Sequence, residues 1–294
     1  MRMRDMLKTA LAGKYAVGYF EAWDQYSLEA VLEAAEEALS PVILGFGCKL
    51  MNQQWYDGGG QHRLAAMGVA AAADANVPVC VLLNEAATLA QVVRGLGWGF
   101  KAVMLDTSDL PLERNIAATR EVVELAHHLE ADVEGEVGRL ADALASLGGA
   151  AQSEMTDPDD AARYVAETGV DALSVSVGNV HIMTDGEAHI DLEQLARIRA
   201  AVSVPLVIHG GTGFPACAVP RAIELGVAKF NVGTILKQLF LGGVREAMGA
   251  LPAQVNLQEV IGSRNAADLL QGAKERVKAE VMRRMVLYGS AGKA

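Results

Sequence analysis

Eight short apolar runs recur along the chain, with amphipathic segments between them. Each run is continuously apolar rather than alternating, which is typical of strands buried on both faces of a parallel sheet. The runs are Ala16–Phe20, Val42–Phe46, Val79–Leu83, Ala102–Asp106, Ala131–Glu136, Ala172–Val177, Leu206–His209 and Val227–Val232. Strands that alternate with helices predict an α/β fold, and eight strands are the number that closes a (β/α)8 TIM barrel.

An open, doubly wound sheet is the alternative architecture. It is weakened because no GxGxxG motif follows the first run. We expect a single domain over residues 1–294, with a barrel over about 1–245 and a C-terminal helical extension over about 246–294. In that extension Val277, Val281 and Met285 form one apolar stripe.

Composition narrows the class of protein. The 294 residues include 25 Lys+Arg against 36 Asp+Glu, a net charge of −11, which argues against a nucleic-acid partner or an anionic membrane surface. The three cysteines form no CxxC motif, which favours a reducing compartment. The longest apolar stretch, Leu64–Ala73, is too short to cross a membrane. We therefore expect a cytoplasmic protein.

Polar side chains cluster where the predicted strands end. In a TIM barrel, the carboxyl ends of the strands carry the active site. Glu85, Asp106, Glu136, His181 and His209 all follow or end a run. Imidazole and carboxylate together form a normal ligand set for Zn²⁺ or Mn²⁺, so these residues predict a metal site. The alternative is that they are unrelated polar residues on the loops of the barrel.

Two glycine-containing loops follow the last two runs. The first contains Gly210, Gly211, Thr212 and Gly213, and the second contains Asn231, Gly233 and Thr234. Glycine lets a ligand approach the backbone closely, and loops at these positions of TIM barrels commonly bind phosphate. We interpret them as a phosphate site, the alternative being turns that serve only to reverse the chain.

Several motifs, in order and spacing, resemble the class II (metal-dependent) ketose-bisphosphate aldolases over about residues 1–245. They include Gly99–Asp106, Val133–Gly138, Val204–Gly213 and Lys229–Thr234. The resemblance implies a TIM barrel that binds a divalent metal, most often zinc, through three histidines. It also implies metal-assisted cleavage of a phosphorylated ketose through an enediolate, and a homodimer or homotetramer. The apolar stripe of the C-terminal extension is the candidate interface.

The resemblance assigns roles residue by residue and exposes a departure. The second and third metal histidines match His181 and His209, while Asp106 and Glu136 match carboxylates of an inner metal position. The family motif His-Leu-Asp-His-Gly reads Leu82-Leu83-Asn84-Glu85-Ala86 here. Asn84 thus replaces the proton-transferring Asp, and Glu85 replaces the first metal histidine. An amide exchanges no proton near neutral pH, so this step needs another group.

The predicted catalytic set is therefore Asn84, Glu85 and Glu136, with Glu21 and Glu154 as further candidates for proton transfer. The predicted function is a divergent aldolase with a divalent metal on Glu85, His181 and His209. One alternative is a sugar-phosphate isomerase or epimerase that uses Glu85 as a general base, and another is a non-catalytic sugar-phosphate-binding protein. The segment Leu140–Ser153, shortened relative to the family, is predicted to be a mobile loop.

Overall fold

A computed structural model describes residues 1–142 and 154–294. Eight strands form a closed barrel in which neighbours in the chain pair in parallel and the last strand pairs with the first. The strands are β1 Val17–Glu21, β2 Val42–Gly47, β3 Val79–Ala86, β4 Ala102–Leu105, β5 Asp132–Val137, β6 Ala172–Val175, β7 Leu206–Ile208 and β8 Val227–Val232. Each apolar run overlaps one strand. The predicted TIM barrel is confirmed, and the open doubly wound sheet is wrong.

Helices surround the barrel and begin at recognisable caps. Asp24 accepts a hydrogen bond from the Ser27 N–H in a capping box, and Asp157 caps a helix that starts with Pro158. The α-helices are α1 Met3–Gly13, α2 Gln25–Glu37, α3 Gln53–Trp55, α4 Gln61–Asp74, α5 Leu89–Gly97, α6 Leu112–His128, α7 Pro158–Thr168, α8 Leu192–Ala201, α9 Val219–Glu224, α10 Thr234–Ala250, α11 Leu257–Val260 and α12 Gln271–Leu287.

Helix α1 closes the amino-terminal end of the barrel. Its apolar residues Met3, Met6 and Leu7 are fully buried and belong to one cluster with the barrel interior, including Ile43 and Leu82. This end of the barrel is therefore a packed core, which leaves the carboxyl ends of the strands as the side where a ligand would enter.

The C-terminal extension packs on its own barrel. Helix α12 contacts α2 and α10, and Val277, Val281 and Met285 are completely buried between them. The suggestion that this stripe forms a subunit interface is wrong, because the stripe is already covered within the chain. The predicted barrel limit near residue 245 falls inside α10, which continues to Ala250.

A small parallel sheet lies outside the barrel. It pairs Ala141–Asp142 with Val180–His181 and so fixes the backbone that carries His181. The predicted mobile loop Leu140–Ser153 falls largely on residues 143–153, which lie outside the described residues. Among the helices of the described ranges, none combines the length and apolarity needed to cross a bilayer.

Candidate active site

Strand β3 departs from regular pairing where it carries Asn84 and Glu85. Its register with β4 shifts between Leu83 and Ala86, as in a β-bulge, and Glu85 has a φ of 52°. A left-handed backbone at a residue other than glycine costs on the order of 1 kcal/mol or more and tends to occur at functional sites. The bulge turns the Glu85 side chain toward the centre of the barrel mouth.

Glu85, His181 and His209 converge there. One ligand atom from each lies within 4.8 Å of the others. The Glu85 Oε1 atom is 3.3 Å from His209 Nδ1 and 3.9 Å from His181 Nε2, and the two imidazole rings stack with centroids 5.5 Å apart. Ile182, directly after His181, has a φ of 54°, so a second strained backbone adjoins the cluster.

Buried polar residues fix the orientation of His209. Its Nε2 atom is 2.7 Å from Glu134 Oε1, and an ionised carboxylate can only accept, so Nε2 carries the hydrogen. Lys229 donates from Nζ to Glu134 Oε2 (2.7 Å) and to Asn231 Oδ1 (2.6 Å). This series of hydrogen bonds directs the other ring nitrogen of His209, Nδ1, at Glu85. Such carboxylate–histidine contacts are the usual support of a metal-ligating imidazole.

The charges of the cluster favour a bound cation. Burial alone would lower the pKa of His209, but hydrogen bonds to Glu134 and Glu85 and the charge of Glu136 raise it to about 10. Burial would raise the pKa of Glu85, but His209, His181 and Lys49 lower it to about 2. The carboxylates thus hold a proton on the buried imidazole, and a divalent cation that displaces this proton would be stabilised by the same charges.

The donor set fits a divalent transition metal. Two imidazole nitrogens and one carboxylate oxygen are a known ligand set of catalytic zinc, in which substrate or water takes the fourth position. In this cluster one imidazole is held by a buried carboxylate, and all three donors face one cavity. The residues present therefore fit the metal that the sequence predicts.

The other two predicted metal ligands lie apart from this group of three. Asp106 Oδ2 is 2.6 Å from Lys49 Nζ, and Asp106 Oδ1 accepts hydrogen bonds from Ser108. Glu136 is closer: its Oε2 atom is 3.8 Å from His209 Nδ1 and accepts a hydrogen bond from Ser174. Burial raises the pKa of Glu136. Neither carboxylate belongs to the three-residue cluster.

The two glycine-containing loops meet beside the cluster. Gly210 has a φ of 69°, and a Cβ there would lie 2.2 Å from the Val180 carbonyl oxygen, so only glycine fits. Gly233 precedes Thr234, the first residue of α10, and the first turn of a helix offers N–H groups without intrahelical partners. Thr212 joins the loops by accepting a hydrogen bond from the Ile235 N–H.

A cavity of about 350 Å³ connects the cluster with these loops. Of the predicted phosphate residues, it is lined by Gly210, Thr212, Asn231, Gly233 and Thr234, whereas Gly211 and Gly213 are not among its lining residues. The Asn231 side chain is bound to Lys229 and is oriented toward His209 rather than free to bind a ligand. Asn84 and Glu85 line the same cavity.

Two buried charged residues of the site, Glu134 and Lys229, are absent from the predicted set. Both are at most 1 % exposed. The signal for them is a charged residue inside an otherwise apolar strand, and Glu134 is two residues from Glu136, on the same face of β5. Of the other predicted proton-transfer candidates, Glu21 lines the cavity, while Glu154 is exposed and pairs through its backbone with Arg139.

The sequence matches a family model described as fructose-bisphosphate aldolase class-II over residues 1–293. The chain belongs to the class II fructose-bisphosphate aldolase family. It is therefore an aldolase, a carbon–carbon lyase, and acts on phosphorylated sugars. The closed eight-stranded barrel is thus that of a class II aldolase.

Individual relatives extend over nearly the whole chain. A fructose-bisphosphate aldolase of Geobacillus stearothermophilus is 34% identical and covers 99% of this chain and 98% of its own. A 6-phospho-5-dehydro-2-deoxy-D-gluconate aldolase of Halalkalibacterium halodurans is 36% identical, with 83% of each chain covered. The crystal structure of the YdjI aldolase from Escherichia coli K12 superposes with a TM-score of 0.82 at 32% identity, covering 100% of both chains.

Proposed function

We propose that this aldolase catalyses metal-dependent, reversible aldol cleavage of a phosphorylated ketose, with a donor half that resembles dihydroxyacetone phosphate. The metal, zinc by its donor set, would be held by Glu85, His181 and His209. The observation that carries the proposal is the approach of their three ligand atoms to within 4.8 Å of one another in the lining of the cavity. The bound ion would polarise the ketose carbonyl and stabilise the enediolate left by bond cleavage.

The residues of the chain position the substrate for this reaction. The loops after β7 and β8 would bind the phosphate through backbone N–H groups, including those of Gly210 and Gly233. The packed interior below the cluster excludes water, which strengthens every charge interaction at the mouth of the barrel. The phosphate would thus fix the donor half with its carbonyl group toward the cluster.

Proton transfer needs a group other than Asn84. We assign Glu136 to this role because its carboxyl group lies beside the cluster and is held by the Ser174 hydroxyl. Burial raises the pKa of Glu136 and so brings it closer to the working pH of a general acid or base. Asn84 would contribute by hydrogen bonding alone.

Metal analysis of Glu85 variants tests the proposal. We expect the purified enzyme to hold one Zn²⁺ or Mn²⁺ per chain and to lose activity with a chelator. Glu85→Gln removes the anionic donor and should weaken metal binding, whereas Glu85→His restores an imidazole and should retain the metal. Glu187→Gln, at an exposed glutamate, is the matched control. Unchanged metal content in Glu85→Gln with lost activity would make Glu85 a general base instead.

Solvent-deuterium exchange separates an aldolase from an isomerase. The proposed enzyme should exchange a carbon-bound proton of dihydroxyacetone phosphate with solvent and should also form aldol products when an aldehyde is added. Exchange without any aldol product would favour an isomerase or epimerase acting through the same enediolate. A rise in melting temperature with sugar phosphates but no exchange would indicate a binding protein.

We also propose a cytoplasmic location and a homodimeric or homotetrameric assembly. The three cysteines are free, and two of them are buried, as suits a reducing compartment. Light scattering coupled to size-exclusion chromatography measures the assembly directly. A monomer at micromolar concentration would contradict it.

A further inference from the structure

Lys49 lines the cavity near Asn84, the residue that replaces the proton-transferring Asp of the family motif. It follows β2 by two residues, and its neighbour Cys48 donates a backbone hydrogen bond to the Asn84 carbonyl. The Lys49 ammonium lies 2.6 Å from Asp106 Oδ2 and 3.4 Å from Ser108 Oγ. Lys49 and Asn84 both line the cavity. The Lys49–Asp106 pair therefore connects the ends of β2 and β4 on either side of Asn84.

This ion pair presents a polar surface with no net charge. Asp106 neutralises Lys49, and an ammonium group with two partners retains one N–H for a ligand. The second lysine that lines the cavity, Lys237, is likewise paired, with Glu21 at 2.7 Å. For an incoming phosphate or carboxylate, the attraction of Lys49 is largely cancelled by the adjacent Asp106 carboxylate, whereas a hydroxyl group would meet both a donor and an acceptor.

Asn84 adds an acceptor that lacks a partner. Its Oδ1 atom is buried and receives no hydrogen bond from the described residues, and the residue is only 5 % exposed. A buried acceptor without a donor is costly unless a ligand supplies one. Because Asn84 lines the cavity beside Lys49, the donor that satisfies it would come from the part of the substrate that lies there.

We infer that Lys49 and Asn84 form a subsite for hydroxyl groups on the aldehyde-derived half of the substrate, and that Lys49 determines specificity there. The substrate would then carry a single phosphate, on the donor half, and release an uncharged hydroxyaldehyde. This inference rests on the proposed aldol reaction.

Aldol addition of dihydroxyacetone phosphate to two matched aldehydes tests the inference. D-glyceraldehyde and D-glyceraldehyde 3-phosphate differ only by the phosphate. The wild-type enzyme should show the higher kcat/KM with the uncharged aldehyde. Lys49→Ala should lower kcat/KM for glyceraldehyde by about tenfold more than it lowers deuterium exchange into dihydroxyacetone phosphate, which needs no aldehyde.

Asp106→Asn provides the converse variant. It leaves the charge of Lys49 uncompensated, so the ratio of kcat/KM for the phosphorylated aldehyde to that for glyceraldehyde should rise. Lys8→Ala, at an exposed lysine of α1, should change neither rate. Metal content is measured on each variant, so that a loss of metal is distinguished from a loss of aldehyde binding.

The possible outcomes distinguish a failure of the proposed subsite from a failure of the proposed aldol reaction. Exchange together with a wild-type preference for the phosphorylated aldehyde would overturn the subsite alone. Equal losses of exchange and addition in Lys49→Ala would also overturn it, since Lys49 would then act on the donor half. A wild-type enzyme with neither exchange nor addition would overturn the proposed aldol reaction, and the subsite with it.

Discussion

Glu85 introduces a negative charge at a position where the resemblance leads us to expect a neutral histidine. A metal held by two histidines and one carboxylate carries less net positive charge than a metal held by three histidines, and so polarises a carbonyl less. The positive charge of Lys49, which is not one of the proposed ligands, lies close enough to act on Glu85 and partly offsets this loss. The effective charge of the centre therefore depends on residues that do not bind the metal themselves.

Glu134 is the clearest example of a residue that does not bind the metal but would affect its binding. Glu134→Gln keeps the shape of the side chain but weakens the acceptor that holds the His209 Nε2 hydrogen. It also leaves the Lys229 ammonium buried without its carboxylate partner. We expect metal affinity to fall about 10- to 100-fold, measured by competition with a chelator of known affinity. An affinity within twofold of wild type would show that Glu134 does not position His209.

Gly210 is a position where the backbone leaves no choice of residue. Gly210→Ala would place a Cβ 2.2 Å from the Val180 carbonyl oxygen at a φ of 69°. We expect a loss of stability of about 1–3 kcal/mol and a higher KM for the phosphorylated donor. Gly249→Ala in α10, where a Cβ meets nothing within 4 Å, is the matched control and should not destabilise the fold. Urea denaturation and steady-state kinetics measure both effects.

The strand-end pattern identified the histidines and Glu85 because the barrel brings the carboxyl ends of its strands together. It could not identify Glu134 and Lys229 in the same way. Their role depends on side chains that meet inside the barrel across 95 residues of sequence, and this is visible only once the closed barrel brings β5 and β8 to the same histidine, His209. The salt bridge of Asp106 with Lys49 is equally non-local.

Among the elements, α12 connects the C-terminal extension to the phosphate loop. The buried Arg284 donates from Nη1 to the Gly211 carbonyl oxygen at 2.7 Å and from Nε to Glu280 at 2.7 Å. The hydrogen bond to Gly211 holds the backbone of the loop after β7 at a residue that does not line the cavity. A residue that is 73 positions away in sequence thus positions the loop proposed to bind phosphate.

Arg284→Met should loosen this loop without touching the cavity. We expect a higher KM for the phosphorylated donor, by about tenfold, and a loss of stability of about 1.5–3 kcal/mol, the usual cost of losing a hydrogen bond to a charged group. Arg283→Met is the matched control, because Arg283 pairs with the same Glu280 but is exposed. Equal effects of the two substitutions on KM would contradict a role for Arg284 in positioning the loop.

Strands were easier to predict than terminal helices. The continuous apolar runs located all eight strands in the sequence, because a strand buried on both faces has no polar side. Helix α1 was not predicted, since its charged residues Arg4, Asp5 and Lys8 obscure the apolar face that Met3, Met6 and Leu7 bury. The stripe of α12 was recognised, but which surface covers it depends on tertiary packing against α2 and α10.

At the scale of the whole molecule, the net charge of −11 is unevenly distributed. Part of the acidic surplus lies at the mouth of the barrel, where Glu85, Glu134 and Glu136 surround His209. Another part lies on α2, whose glutamates pair with basic residues of the extension, including Arg264, Lys274 and Lys278. Those pairs that are exposed contribute little individually, so buried contacts, polar as well as apolar, hold the extension more firmly.

Asp268 makes such a contact, and its ionisation makes the attachment of the extension to the barrel sensitive to low pH. Its buried carboxylate accepts hydrogen bonds from the Tyr26 hydroxyl on α2 and from the Arg264 and Leu270 N–H groups. Burial alone would raise the pKa of Asp268, but these hydrogen bonds lower it below the ordinary value of 3.8. A carboxyl group with a lowered folded-state pKa contributes stability above its unfolded-state pKa, and this contribution is lost as the pH falls through the folded-state value.

We therefore expect Asp268→Asn to be less stable than wild type at pH 7, with a difference that shrinks as the pH is lowered below about 4. Urea denaturation across this pH range, followed by tryptophan fluorescence, measures the difference. Asp185→Asn, at an exposed aspartate, should leave the pH dependence unchanged. A difference between Asp268→Asn and wild type that stays constant from pH 7 to pH 3 would show that the ionisation of Asp268 does not fasten the extension to the barrel.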